Sequence, residues 1–118
     1  KGNGFADLID SEGKVRASIS CMPATVREAG IAVSDRTAYT PAADGRLLQF
    51  EVGPDSLALS GTLMNADGKP VQWRPVGSVG LLRTSGSLDW LSLTERGLAQ
   101  LRFDPTKAQP ANATDQCR

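Results

Sequence analysis

The chain has 118 residues, of which 40% are hydrophobic and 22% charged, with 13 basic and 13 acidic side chains and no histidine. That is ordinary globular composition for one domain built around one core. It lacks the basic excess of a general nucleic-acid binder, and it contains no apolar run of about 18 residues that would cross a membrane. The lack of histidine removes the commonest general base, the Ser-His and Cys-His nucleophile pairs and most transition-metal sites.

Lys1 opens the chain without Met, which reads as a processed or trimmed form. Phe5 to Ile9 reads as a short strand, Asp10-Ser11-Glu12-Gly13 as a turn, and Val15, Ala17, Ile19 and Cys21 as the inward face of the returning strand. Pro23 to Gly30 carries helix punctuation, a Pro for the first turn and a Gly for the C-terminal cap, enough for one or two turns. Ile31-Ala32-Val33 is apolar and β-branched. Asp35 to Ala43, interrupted by Pro41, reads as a loop.

Gly45 to Trp73 spells three strands in a row. Leu48, Phe50 and Val52 alternate up to Gly53-Pro54; Leu57, Leu59, Gly61 and Leu63 then recur at every second residue, as on one face of a half-buried strand. Gly61 leaves a gap on that face, which predicts close approach of another backbone or of a ring such as Trp73. Asn65-Ala66-Asp67-Gly68 supplies hairpin chemistry leading to Val71 and Trp73. Gly77 to Gly80 reads as a further turn before a short strand, Leu81-Leu82-Arg83. In Leu88 to Leu93 the alternation slips phase, as a bulge or a two-sided strand would make it. After the turn at Thr94-Glu95-Arg96-Gly97, Ala99, Leu101 and Phe103 face inward with Gln100 and Arg102 outward. Beyond Pro105 the chain has no large apolar residue.

The predicted architecture is therefore all-β, or α+β with one short helix. It is a small antiparallel sandwich or open barrel of about seven or eight short strands. Residues 1–105 form the globular domain and 106–118 an irregular tail tied back through Cys117. Cys21 and Cys117 are the two cysteines of the chain and have no metal or redox-relay spacing, so they read as one disulfide. It would close a loop of about 95 residues, worth about 4 to 5 kcal/mol in loop-closure entropy, and would place the domain in the periplasm, at the cell surface or in the secreted fraction. Two unpaired thiols are the alternative.

Little else carries chemistry. Lys14, Lys69 and Lys107 are formal partners for a Ser-Lys pair, but all three fall in turns or the tail, where a lysine stays solvated and protonated. Asp7, Asp10 and Glu12 crowd three carboxylates without the spacing of a calcium loop. No phosphate-binding glycine motif is present, and no metal or cofactor is implied. Asn112-Ala113-Thr114 fits the glycosylation triplet, which occurs often by chance.

Trp73 with Arg74, and Trp90 with Arg96, join the residue types enriched in binding hot spots and mark a candidate binding surface; the alternative is that both indoles belong to the core. The C-terminal third, with its short strands, its turn at Glu95-Arg96-Gly97 and a Cys one residue from the end, resembles the globular heads of type IV pilin-like proteins. The long Cys21 to Cys117 spacing departs from the short C-terminal loop of many of them, and no functional residue carries over. The sequence thus points to a non-enzymatic extracytoplasmic interaction module with a protein partner, such as a subunit or accessory of a pilus or secretion machine. Two alternatives stand beside it. One is a periplasmic or secreted inhibitor or immunity protein using a loop such as Arg36 to Gly45 or Arg74 to Gly80; the other is a small hydrolytic enzyme.

Overall fold

The computed structural model describes residues 4–65, 67–68, 75–84, 86–112 and 115, with the backbone alone at residues 28, 34, 78–79 and 81–84. The chain is a small all-β domain of three antiparallel sheets that do not close into a barrel. Strands β1 (Gly4–Ile9) and β2 (Val15–Met22) form a hairpin. A single turn of 3₁₀ helix, Arg27–Ala29, is all that becomes of the predicted helix. Then follow β3 (Ala32–Ser34), β4 (Thr37–Pro41), β5 (Leu47–Val52) and β6 (Leu57–Leu63). The third sheet is the meander β7 (Pro75–Thr84), β8 (Ser87–Thr94) and β9 (Gly97–Phe103). Last, β10 (Gln109–Pro110) pairs with β6, so that the central sheet runs β10-β6-β5-β4-β3.

That central sheet is buried on both faces, which makes three layers where one core between two was expected. Leu47, Tyr39 and Leu63 pack against Leu88, Trp90 and Phe103 of the third sheet. Leu48 and Ala38, the immediate neighbours of Leu47 and Tyr39, pack with Phe50 and Leu59 on the other side, against Met22, Ala6 and Ile19 of the hairpin. Adjacent apolar residues such as Ala38-Tyr39 and Leu47-Leu48 point to opposite faces of a strand, so they require a sheet covered on both.

A bulge reassigns β6. Gln49 is opposite Gly61 and Phe50 is opposite Leu59, which leaves Ser60 as the extra residue. One extra residue reverses the side-chain phase. Leu57 and Leu59 therefore face the hairpin while Gly61 and Leu63 face the third sheet, and the single face read from the sequence is in fact two. The segment Asp35–Ala43, read as a loop, is corrected too. It holds β4, with Ala38, Tyr39, Thr40 and Ala42 all buried. Pro41 is tolerated because it ends the strand, and its carbonyl accepts from Val26 N at 2.9 Å. The predicted turn at Gly77–Gly80 is also strand: β7 runs through it with two register shifts, while β8 pairs with β9 without interruption, so the slip read over Leu88–Leu93 is that of a two-sided strand, with Leu88 and Trp90 buried and Leu91 and Leu93 on the other face.

The tail contributes more than the sequence suggested. Asp104 caps a 3₁₀ turn, Pro105–Lys107, by accepting from Thr106 N at 3.0 Å. Ala108 then packs on one core cluster and Ala111 on the other. Gly61 permits this docking, because a Cβ built there would lie 2.9 Å from the Gln109 carbonyl oxygen. The close approach of a second backbone was predicted from the gap in β6; the backbone is that of β10. The predicted third strand of the run, Val71 to Trp73, lies outside the described residues, and the neighbour of β6 opposite β5 is β10.

Candidate binding surfaces

The four residues predicted to form a binding surface do not stay together. Trp73 and Arg74 lie outside the described residues. Trp90 is 0% exposed, on the inward face of β8 between Leu88 and Ser92. It belongs to the core, because its position is in phase with Leu88 and opposite Leu101, and so it leaves the candidate surface. Arg96 is exposed in the β8–β9 turn, where Thr94 Oγ1 accepts from its backbone N–H. The carboxylates near the N-terminus have local work: Ser18 donates to Asp7, and Asp10 accepts from the N–H groups of Glu12 and Lys14 at 2.9 Å each. Among the described residues no group of three or more acidic, Cys or His side chains is placed to hold a metal.

Two other surfaces emerge. The first surrounds a groove of about 550 Å³ between the start of β1 and the 24–31 connection, lined by Phe5, Thr25, Arg27, Ile31 and Thr40 among others. Phe5 is 73% exposed and Ile31 58%. Val33, 63% exposed, lies two residues farther on in β3, which ends the five-stranded sheet and, among the described residues, pairs with β4 alone. Single exposed apolar residues are common on proteins, but a group of them beside a free sheet edge is less so. Arg27 makes no ion pair among the described residues.

The second surface is on the outer face of the third sheet. Asp89 of β8 lies opposite Arg102 of β9. Arg102 Nε donates to Asp89 Oδ1 at 2.9 Å and Nη2 to Oδ2 at 3.1 Å, Gln100 Nε2 adds a bond to Oδ2 at 3.0 Å, and Ser87 Oγ lies 3.4 Å from Oδ1. The carboxylate is 1% exposed, although the cover above it is thin: the Arg102 side chain is itself 58% exposed. The paired guanidinium holds the Asp89 carboxyl below the ordinary aspartate range, against the opposing effect of burial. Arg102 and Gln100 also line a groove of about 450 Å³ with Asn65, Asp67 and Leu101. The groove forms where Asn65, bridged to Phe103, brings the turn after β6 against the edge of β9. Sequence reasoning placed Gln100 and Arg102 on an outward face but missed Asp89, whose role depends on a cross-strand partner 13 residues away.

A third polar cluster is structural. Arg46 Nη1 donates to the buried Asp115 at 2.9 Å and its Nε to Asp44, while Asp115 also accepts from Asn112 N. These bonds fix the tail beside the β4–β5 turn. Compared with known proteins, the chain matches no family model, no curated protein and no solved structure.

Proposed function

We propose that this domain is a non-enzymatic interaction module of the cell exterior, a subunit or accessory of a cell-surface assembly, and that an extended segment of a partner protein docks along β3. The observation that supports this reading is the exposure of Phe5 and Ile31 at the groove together with that of Val33, two residues beyond Ile31 in β3. An edge strand offers unpaired backbone groups, and an added strand gains affinity from main-chain hydrogen bonds and specificity from alternate side chains in flanking pockets. The three residues of β3 keep the edge too short for indiscriminate pairing. Arg27 beside the groove favours a partner segment that carries a carboxylate next to its apolar residues.

An oxidising compartment follows from the cysteines. Ala43 N donates to Ala24 O at 2.8 Å, and Arg46, three residues on, holds Asp115. Cys21 precedes Ala24 by three residues and Cys117 follows Asp115 by two, so the chain can reach from one anchored point to the other. No described cysteine is a free thiol, while Cys117 lies outside the described residues. We assign a Cys21–Cys117 bond on these grounds. Cys21 is also the extra residue of a bulge in β2, with φ of 71°, a conformation that costs a residue with a Cβ about 1 to 2 kcal/mol. A cross-link that re-aims its side chain gives that strain a purpose.

The test is site-specific photo-crosslinking in the native envelope fraction, with a benzophenone amino acid in place of Val33 and, as a control, of Leu98 on the far sheet. A protein adduct is expected from position 33 and not from position 98, and it should disappear in Arg27→Glu or Phe5→Ser. Equal adducts from both positions, or none from position 33 in folded protein, would overturn the β3 assignment. Turnover of a substrate by the purified domain would overturn the non-enzymatic reading.

A further inference from the structure

The groove at the edge of β9 is a second site, independent of the β3 edge, and we infer that it binds a neutral, hydroxyl-rich ligand, a carbohydrate, through Arg102, Gln100 and Asp67. Its volume of about 450 Å³ falls in the range of roughly 300 to 1,000 Å³ of small-molecule sites. Its lining differs from that of an apolar ligand pocket: Asn65, Asp67, Gln100 and Arg102 supply four planar polar side chains and Leu101 the one aliphatic.

Among the described residues the hydrogen-bonding capacity of Arg102, Gln100 and Asp67 is only partly used. Arg102 spends Nε and Nη2 on Asp89, which leaves both N–H groups of Nη1 without a partner among the described residues. A guanidinium held side-on by a bidentate carboxylate cannot swing, so these remaining donors are fixed in direction at no further cost in side-chain entropy. Gln100 is treated alike: its amide nitrogen is tied to Asp89 Oδ2, which orients the amide and leaves its carbonyl oxygen as an acceptor with no partner among the described residues. Asp67 sits in the exposed turn after β6 and makes no hydrogen bond or ion pair among the described residues. Fixed donors on one wall and free acceptors beside them suit vicinal hydroxyls, each of which donates once and accepts up to twice.

Charge decides against an anion. Among the described residues Asp89 neutralises Arg102 at hydrogen-bond distance and Asp67 has no cation paired to it, so the described lining carries a net negative charge that disfavours a carboxylate or phosphate. Asp89 thus acts as a positioning residue beneath the site. It is out of reach of solvent, and its contribution is the orientation of Arg102 and Gln100.

The experiment is ligand-observed NMR titration of the intact domain with glucose, galactose and N-acetylglucosamine as neutral probes and glucuronate as the anionic one. Saturable binding of at least one neutral sugar is expected, with glucuronate weaker than glucose. Asp67→Ala, in an exposed turn, removes an acceptor without touching the core; Arg102→Lys keeps the charge opposite Asp89 and removes the fork. Each should weaken binding about tenfold or more, the loss that follows removal of a hydrogen bond to a charged group. Unchanged affinity in both variants, tighter binding of glucuronate than of glucose, or no saturable binding of any neutral sugar to the folded wild type would each overturn the assignment. The Phe5 and Arg27 variants should bind sugar as the wild type does, so failure at one surface is readable apart from failure at the other.

Discussion

Replacing Gly61 with Ala tests the docking of the tail at a single carbon atom. The added Cβ would stand 2.9 Å from the Gln109 carbonyl oxygen and 3.7 Å from Gln49 Nε2. The first contact is with backbone, so relief requires β10 to move outward by several tenths of an ångström. That movement would stretch the β10–β6 pairing and the bond from Ala111 N to Ser60 O, already 3.4 Å long. Overpacking of this kind costs about 1 to 3 kcal/mol, and the loss of glycine freedom from the unfolded chain returns about 0.4 to 1 kcal/mol. A net destabilisation of about 1 kcal/mol, between the limits of about 0 and 2.6 kcal/mol that these ranges allow, is expected by urea denaturation, with faster amide exchange confined to residues 108–112. Gly77→Ala is the control. Its Cβ would meet Leu93 Cδ2 at 3.6 Å, an ordinary contact, and its φ is not positive, so the entropic gain should dominate and leave stability unchanged or slightly raised. If Gly61→Ala proves as harmless as Gly77→Ala, the tail is not held against β6 and the reasoning fails.

Trp90→Ala should cost about 3 to 5 kcal/mol of stability, the loss for a fully buried large aromatic, whereas Arg96→Ala should change it by less than about 0.5 kcal/mol; chemical melts that rank the two alike would refute the core placement of the indole. Because Trp90 Nε1 has no hydrogen-bond partner among the described residues, Trp90→Phe should be far milder than Trp90→Ala. Under denaturing, non-reducing conditions the protein should titrate no thiol, and reduction should lower stability by up to about 4 to 5 kcal/mol; two thiols per chain in oxidised material would exclude the Cys21–Cys117 bond. Asp89 has a folded-state pKa below its unfolded one, so its pairing stabilises fully above the ordinary aspartate range and is lost as pH falls through the depressed value. Asp89→Asn should therefore flatten the acid limb of the stability profile, and superimposable acid limbs would argue against the pair.

How much of the fold was legible follows from what each strand packs against. β1, β2, β5, β8 and β9 show alternation or strong apolar runs, and turns such as Asp10–Gly13 and Thr94–Gly97 carry their own chemistry, so these were readable from local pattern. β4 was not. Its residues are Thr, Ala, Tyr, Thr and Pro, small or polar enough to look like loop, and Thr40 satisfies its hydroxyl by donating to Gly30 O at 2.7 Å, a partner ten residues away. The first part of β7 looked like a turn, with only Leu81 to Arg83 read as strand, because Gly77 and Gly80 are turn residues in most settings, but here they serve a strand with two bulges. The tail looked incapable of packing because Ala108 and Ala111 are small; small side chains are what the shallow space beside Gly61 accepts.

Ser60 shows why local alternation cannot assign faces through a bulge. A bulge is a property of two strands: the extra residue exists only relative to the register of its partner, and nothing in Leu57–Leu63 taken alone reveals that Phe50 faces Leu59 while Gln49 faces Gly61. The sequence pattern therefore gave the right consequence at Gly61, a close backbone approach, from a wrong face. The same limit hid the polar cluster. Asp89 interrupts an apolar strand, and in isolation it reads as a solvated residue between Leu88 and Trp90. Only the β8–β9 register sets it opposite Arg102 and next to Gln100 on one face, where a carboxylate can lose its water and keep its charge because two forked donors and an amide replace that water. Residues separated by a hairpin become one hydrogen-bonded unit through strand pairing, and it is at that level that both candidate surfaces of this domain are defined.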